Sequence, residues 1–550
     1  MVSFVYLAKF LLASAPLALL STAAPTCSNG TNGLPLLLDA TLGELSSGLE
    51  ARQFSSVDLV NAYIGRILEV NSTLHMVTEL NPDALAIAVE LDKERRAGKL
   101  RGPLHGIPIL IKNNIATCDK MNNTAGSYSL LGAKVPRDAT VAAKLRKAGA
   151  VILGKTNLSQ WANFRSSNSS NGWSAYGGQT YGAYYPGEDP SGSSSGSGVS
   201  SSLGLALASL GTETDGSIVS PSEMNNLVGI KPTVGLTSRA LVIPISERQD
   251  TVGPMARTVR DAAYLLQAIA GPDKADNWTS AQPFNDTLPD YVGACKLDAL
   301  KGKRIGVPRN AIDGSVTTTV LTAFNAALTV LADAGAIIVE NTNYTAYDQY
   351  LRSNAEGIVL DADFVANLAA YLAQLTYNPN NVTSLADVRA FTQSFGPEEY
   401  PSRDTATWDE SLALNFTNTS PEFWAAYQED LYLGGAGGLL GALANYSLDA
   451  IVVPTNVASG QSAIVGAPLV TVPLGAYPAN TTVLPNRRGT LNSTAPNIPF
   501  GISFAGVKWS EERLIGYAYA FEQRTNVREK VHPYLVPTTE LVDVVGQSGY

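Results

Sequence analysis

The chain has 550 residues, 45% of them hydrophobic and only 16% charged, with 48 acidic against 38 basic side chains and a formal net charge of −10. That balance supplies a large buried core and excludes an intrinsically disordered chain, and its acidity argues against nucleic acid, whose phosphates demand basic patches. Three histidines and three cysteines exclude a histidine-rich metal site and a framework of disulfides.

Residues 1–23, MVSFVYLAKFLLASAPLALLSTA, place one lysine before an apolar run that ends in small residues. This is the pattern of a secretory signal peptide cleaved after Ala23, and a run this short, broken by Pro16, weighs against a membrane span. An uncleaved anchor is the alternative. Fourteen N-x-[ST] sequons lie between Asn29 and Asn492, and their density beyond Asn277 fits a glycosylated surface. Asn157 sits beside a motif expected to be buried and is expected to stay bare. The remaining chain, 24–550, reads as one secreted domain.

Helical periodicity runs over 57–70 and 82–97. Residues 107–111 are a short apolar run bounded by Pro108 and, beyond Lys112, two asparagines, a buried strand. A helix over 140–148 and a strand over 150–153 follow, and a helix starts after the strand. The Ser/Gly cluster at 191–202 has a linker's composition. Its apolar flanks make it a buried loop, more often a site than a linker. A helix covers 258–270 and a strand 304–307. A helix over 317–334 is stopped by Gly335, and a strand over 336–339 comes next. Residues 345–445 are helix-rich and carry many sequons, an excursion placed to shape a substrate entrance. Strands at 451–453 and 469–472 and a helix at 511–524 close the chain. The alternation implies a single large α/β domain with a mixed, mostly parallel sheet covered by helices on both faces.

Three segments carry candidate chemistry. In Gly106-Ile107-Pro108-Ile109-Leu110-Ile111-Lys112-Asn113-Asn114 a lysine ends an apolar strand. Alone, it reads as a lysine that snorkels to the strand end. Pro190-Ser191-Gly192-Ser193-Ser194-Ser195-Gly196-Ser197-Gly198 permits close backbone approach. Alone, it reads as a flexible loop. Gly211-Thr212-Glu213-Thr214-Asp215-Gly216-Ser217 is a polar turn between apolar stretches. A serine there meets the backbone N–H groups of its own turn, as an oxyanion hole requires. The plain reading is an Asp-Gly turn.

Taken together, the three resemble the amidase signature family. Its hallmarks are a Gly/Ser-rich element, a G-T-D-x-G-G-S-I-R-x-P segment and a lysine ending a G-I-P-x-x-V-K-D strand. Ser193 and Ser217, the two serines that align, are 24 residues apart, as is usual there. Similarity extends through residues 149–164, 228–233, 250–258 and 499–524. The resemblance implies a Ser-Ser-Lys triad, with Ser217 as nucleophile, Ser193 as the bridging serine and Lys112 as general base. It also implies backbone donors from Thr214, Asp215, Gly216 and Ser217, and neither metal nor cofactor. A serine nucleophile needs a base, and a lysine serves once burial lowers its pKa towards neutrality.

The chain departs from the hallmarks at Asn113, Glu213, Asp215 and Val219, none of them a triad position. Glu213-Thr214-Asp215 and Val219 are shared with the peptide amidases, as are Asn157-Leu158-Ser159-Gln160-Trp161-Ala162-Asn163-Phe164 and Ile243-Pro244-Ile245-Ser246. The expectation is a hydrolase of linear carboxamides that releases ammonia, with C-terminal peptide amides as substrates. A broad small-amide and ester hydrolase, or a catalytically silent binding homologue, is the alternative. A tRNA-directed amidotransferase role is disfavoured by the signal peptide, the sequons and the acidity. Cys118 is expected as a core thiol and His105 as a packing or hydrogen-bonding residue. Trp161 and Trp173 read as core, or as lining for a substrate channel. Asp250 either holds a loop near the site or belongs to a plain turn.

Overall fold

Eleven strands, the largest sheet among the described residues, run across the whole protein. In chain order they are β1 (Val77–Leu80), β2 (Pro108–Lys112), β3 (Val151–Thr156), β4 (Ala208–Glu213), β5 (Val228–Lys231), β6 (Thr251–Ala256), β7 (Arg304–Val307), β8 (Ile337–Glu340), β9 (Ala450–Pro454), β10 (Leu469–Ala476) and β11 (Pro499–Ala505). The computed structural model describes residues 33–284 and 287–546. The expected signal peptide, and the sequons at Asn29 and Asn285, lie outside them.

Across the sheet the order is β1-β3-β2-β4-β6-β5-β10-β11-β9-β7-β8. Its central strands are buried on both faces, and helices such as Ser56–Leu74, Val259–Ile269 and Glu511–Thr525 cover them. The sheet is mixed, but the expected parallel majority is corrected. The pairs β2/β3, β2/β4, β7/β9 and β7/β8 are parallel. The other six pairings are antiparallel. The physical reason is that a strand covered on both faces is an unbroken apolar run in either orientation, so the pattern does not encode direction.

The Ser/Gly cluster is also corrected. Residues Ser195–Ser202 form a helix with every residue buried. Propensity disfavours this, since glycine in a helix interior costs about 1 kcal/mol relative to alanine. Packing overrides it. A Cβ at Gly196 would stand 2.3 Å from the Met76 carbonyl oxygen and 2.6 Å from that of Asn157. The serines stitch the helix to the sheet: Ser197 Oγ donates to the Leu210 carbonyl at 3.1 Å, and Ser201 Oγ to Ser209 Oγ at 2.9 Å.

Residues 345–445 form helices that include Ala355–Leu372, Leu385–Ser394, Ala406–Ala413 and Pro421–Gly434. They dock on the core through an apolar cluster that joins Phe364, Leu368 and Trp408 to Trp161 and Ile243. A buried ionic link adds to it. Glu398 accepts from Ser127 Oγ at 2.7 Å, Tyr128 N at 2.8 Å and Gln160 Nε2 at 2.5 Å, and pairs with Arg165 at 3.2 Å. Among the described residues, no helix is long and apolar enough to cross a membrane.

Candidate active site

Strands β2 and β4 are parallel neighbours, with Leu110 opposite Ser209 and Ile111 opposite Leu210. Their carboxyl ends therefore share one edge of the sheet, the usual ligand side of such sheets. Lys112 ends β2, and Thr212 and Glu213 end β4. The start of the Ser/Gly helix is held at the same edge: Ser194 N donates to the Ser217 carbonyl at 3.2 Å, and Ser159 N to that of Ser193 at 3.0 Å. Topology thus gathers Lys112, Ser193 and Ser217, which are far apart in sequence. The Gly192–Ser193 peptide bond is cis.

Lys112 is fully buried. Its Nζ lies 2.8 Å from Ser193 Oγ, 2.9 Å from Ser194 Oγ, 2.9 Å from Thr212 Oγ1 and 3.1 Å from the Thr212 carbonyl oxygen. All four neighbours are neutral oxygens, and no carboxylate pairs directly with the ammonium among the described residues. Burial therefore brings the lysine down to about 7, against the milder opposing pull of Glu213 and Asp250. The Ser193 hydroxyl at 2.8 Å is the one group of the cage that also belongs to the expected triad.

Ser217 lies in the turn after β4, which passes through Gly216 at φ +76°, a conformation glycine adopts readily. The backbone N–H groups of Thr214, Asp215, Gly216 and Ser217 donate to no acceptor among the described residues. Four successive free donors beside a serine hydroxyl can receive an oxyanion. Carboxylates on either side fix the turn. Glu213, fully buried, accepts from Ile218 N at 2.6 Å and Val219 N at 2.9 Å. Asp250 accepts from Thr214 Oγ1 at 2.6 Å, and from Ile245 N and Ser246 N. It stands there because Thr251 opposes Glu213 in the β4/β6 ladder. Asp250 therefore holds a loop at the site.

Ser194 and Thr212 escaped the sequence reading. A run of consecutive serines does not show which hydroxyl faces the lysine, and Thr212 reads as an ordinary strand residue. Cys118, expected in the core, is exposed; it follows the strand into a surface turn, where its N–H donates to Asp138 at 2.7 Å. His105 is buried and bonded to the Leu91 carbonyl at 2.9 Å, a packing role as expected. Trp161 and Trp173 are both buried, Trp161 edge-on against Trp408 at 5.9 Å and Trp173 under the Arg165 guanidinium at 5.6 Å. Asn157 is buried with its amide bonded to Thr180 Oγ1 at 3.0 Å, so the folded chain offers it no room for a glycan.

Residues 58–515 match the sequence profile of the Amidase family. A protein of Arthroderma benhamiae named as an amidase is 56% identical over 535 residues, 93% of this chain and 90% of its own. A glutamyl-tRNA(Gln) amidotransferase component of Thermosynechococcus vestitus is 32% identical, covering 88% of this chain and 98% of its own. The crystal structure of the peptide amidase of Stenotrophomonas maltophilia superposes with a TM-score of 0.80 at 39% identity, covering 90% of this chain and 99% of that one. Fold and relatives define a hydrolase acting on amides. The chain belongs to the amidase family.

Proposed function

We propose that the protein is an exported amidase that removes ammonia from C-terminal peptide carboxamides through Ser217, Ser193 and Lys112. The observation that carries this reading is the 2.8 Å contact between Ser193 Oγ and a buried lysine held near neutrality. The likeness to a peptide amidase supports the substrate class, and the signal-peptide pattern and sequons support export.

In this reading Ser217 Oγ attacks the carboxamide carbon, and its proton passes through Ser193 Oγ to neutral Lys112 Nζ. The amides of the 214–217 turn stabilise the oxyanion. On collapse the C–N bond breaks, and the proton returns through Ser193 to the departing nitrogen as ammonia. Water then attacks the acyl-serine ester along the same relay, which releases the carboxylic acid and restores Ser217. Thr212 and Ser194 hold the amine in place.

The test is incubation of purified protein with a C-terminally amidated peptide, beside Ser217→Ala and Lys112→Ala. The expected result is conversion to the free acid with ammonia release by the wild type alone. Full turnover by Ser217→Ala would show the nucleophile to be wrongly assigned.

A further inference from the structure

Two asparagines follow Lys112, and the fold uses them differently. Asn113 is fully engaged: its Oδ1 accepts from Thr124 N at 2.8 Å and Thr124 Oγ1 at 2.9 Å, and its Nδ2 donates to Thr78 Oγ1 at 2.9 Å. Asn114 is 2% exposed and makes one side-chain bond, from Nδ2 to Thr212 Oγ1 at 3.0 Å. Its Oδ1 is buried and has no partner among the described residues. A buried acceptor left unpaired is costly and calls for a reason. The backbone fixes its place: the Asn114 carbonyl accepts from Ile243 N at 2.9 Å, and Ile115 N closes the turn onto the Lys112 carbonyl at 2.9 Å.

The reason lies in where the protons round Lys112 can go. A neutral lysine has two N–H groups and one lone pair, and the relay needs that lone pair to face Ser193 Oγ, 2.8 Å away. Ser194 Oγ spends its proton on the Thr212 carbonyl at 3.1 Å, so towards Nζ at 2.9 Å it can only accept. The Thr212 carbonyl, 3.1 Å from Nζ, also only accepts. Thr212 Oγ1, 2.9 Å from Nζ, has a choice. It accepts an N–H from the lysine, or it gives its own proton to the lone pair in rivalry with Ser193. Among the described residues its other partner is Asn114. With Nδ2 presented, the hydroxyl has the lysine alone to donate to. A half-turn of the amide presents Oδ1, which takes that proton. Thr212 then accepts from the lysine, and the lone pair is left to Ser193. Either orientation leaves one end of the amide unpaired, so neither is locked.

We propose that Asn114 is a positioning residue whose amide, by turning, takes up the Thr212 proton or returns it, and so opens or closes the lysine's lone pair to Ser193. The inference deepens the proposed function and rests on Lys112 and Ser193 as its relay. No covalent bond changes in this step: the Thr212 O–H swings from the lysine to the amide oxygen and back.

The test combines the kinetics of an amidated peptide with the titration of Lys112, followed by NMR of protein carrying isotope-labelled lysine and assigned through Lys112→Arg. Glu213 and Asp250, the carboxyls whose charge bears on Lys112, stay in place in every variant. Asn114→Leu holds the Thr212 proton on the lysine. Its kcat should fall about tenfold, a part of what a general base contributes, and its KM should not change, because Asn114 is buried. A hydrogen bond donated to the neutral amine favours that form, so Lys112 should titrate about one pH unit lower. Thr212→Val removes the rival proton. Added to Asn114→Leu, it should bring kcat back to that of Thr212→Val alone and abolish the downward shift. Should Asn114→Leu not fold, Asn114→Ala takes its place with the same expectations. Unchanged kcat and titration in the Asn114 variant, or a loss that Thr212→Val does not relieve, would overturn the proposal. A wild type inactive on amides counts against the relay reading, and the titration alone then decides the role of Asn114.

Discussion

Lowering the pH from 8 to 6 should slow hydrolysis of a neutral amide about tenfold, because in the proposed relay Lys112 must be neutral to accept a proton. With its pKa at about 7, about nine-tenths of the lysine is neutral at pH 8 and about one-tenth at pH 6. An ordinary lysine at 10.5 would be neutral in only about three molecules in ten thousand at pH 7, so burial supplies roughly a thousandfold more base. The sign of a second perturbation follows. Asp250 favours the ammonium, so Asp250→Asn should move the acidic limb to lower pH. Lys112→Arg keeps a cation but cannot give up its proton, and should lose about 10²–10⁴ in kcat/KM at every pH. The assay is initial ammonia release between pH 5.5 and 8.5. A flat profile from pH 6 to 8, or Lys112→Arg within about threefold of the wild type, would refute the assignment.

Glu398→Ala should cost about 3–5 kcal/mol in denaturant unfolding, because it strands the buried Arg165 guanidinium; limited proteolysis should then cut first within 345–445. Gly196→Ala should lose about 3 kcal/mol, since its Cβ would meet backbone at 2.3 Å, and the urea midpoint measures it. Glu223 is buried, and that burial raises its carboxyl to about 8. A raised carboxyl adds stability that is fully present below about 4.5 and is lost as pH rises through about 8. The stability of wild type relative to Glu223→Gln should therefore fall by about 1.4 kcal/mol per pH unit across that window. Unfolding at pH 5.5 and 7.5 checks it.

The fold class and the motifs of the candidate site were both legible in the sequence. Lys112, Ser193 and Ser217 lie in motifs whose order and spacing are legible in one dimension, and the structure places all three at one sheet edge. The strand at 304–307 and the helix ending before Gly335 were legible because periodicity and a glycine stop are local signals. Strand direction was not, because doubly covered strands such as β6 and β11 look alike in both orientations. The helix at Ser195–Ser202 was hidden by a composition that local propensity rejects and tertiary packing selects.

The most direct test of the central claim is the mass of the protein quenched during turnover of an amidated peptide or its ester analogue. The account predicts a covalent acyl adduct that maps to the peptide containing Ser217 and is absent from Ser217→Ala. Ammonia release with no adduct at Ser217, or with the acyl group on another residue such as the exposed Cys118, would contradict it.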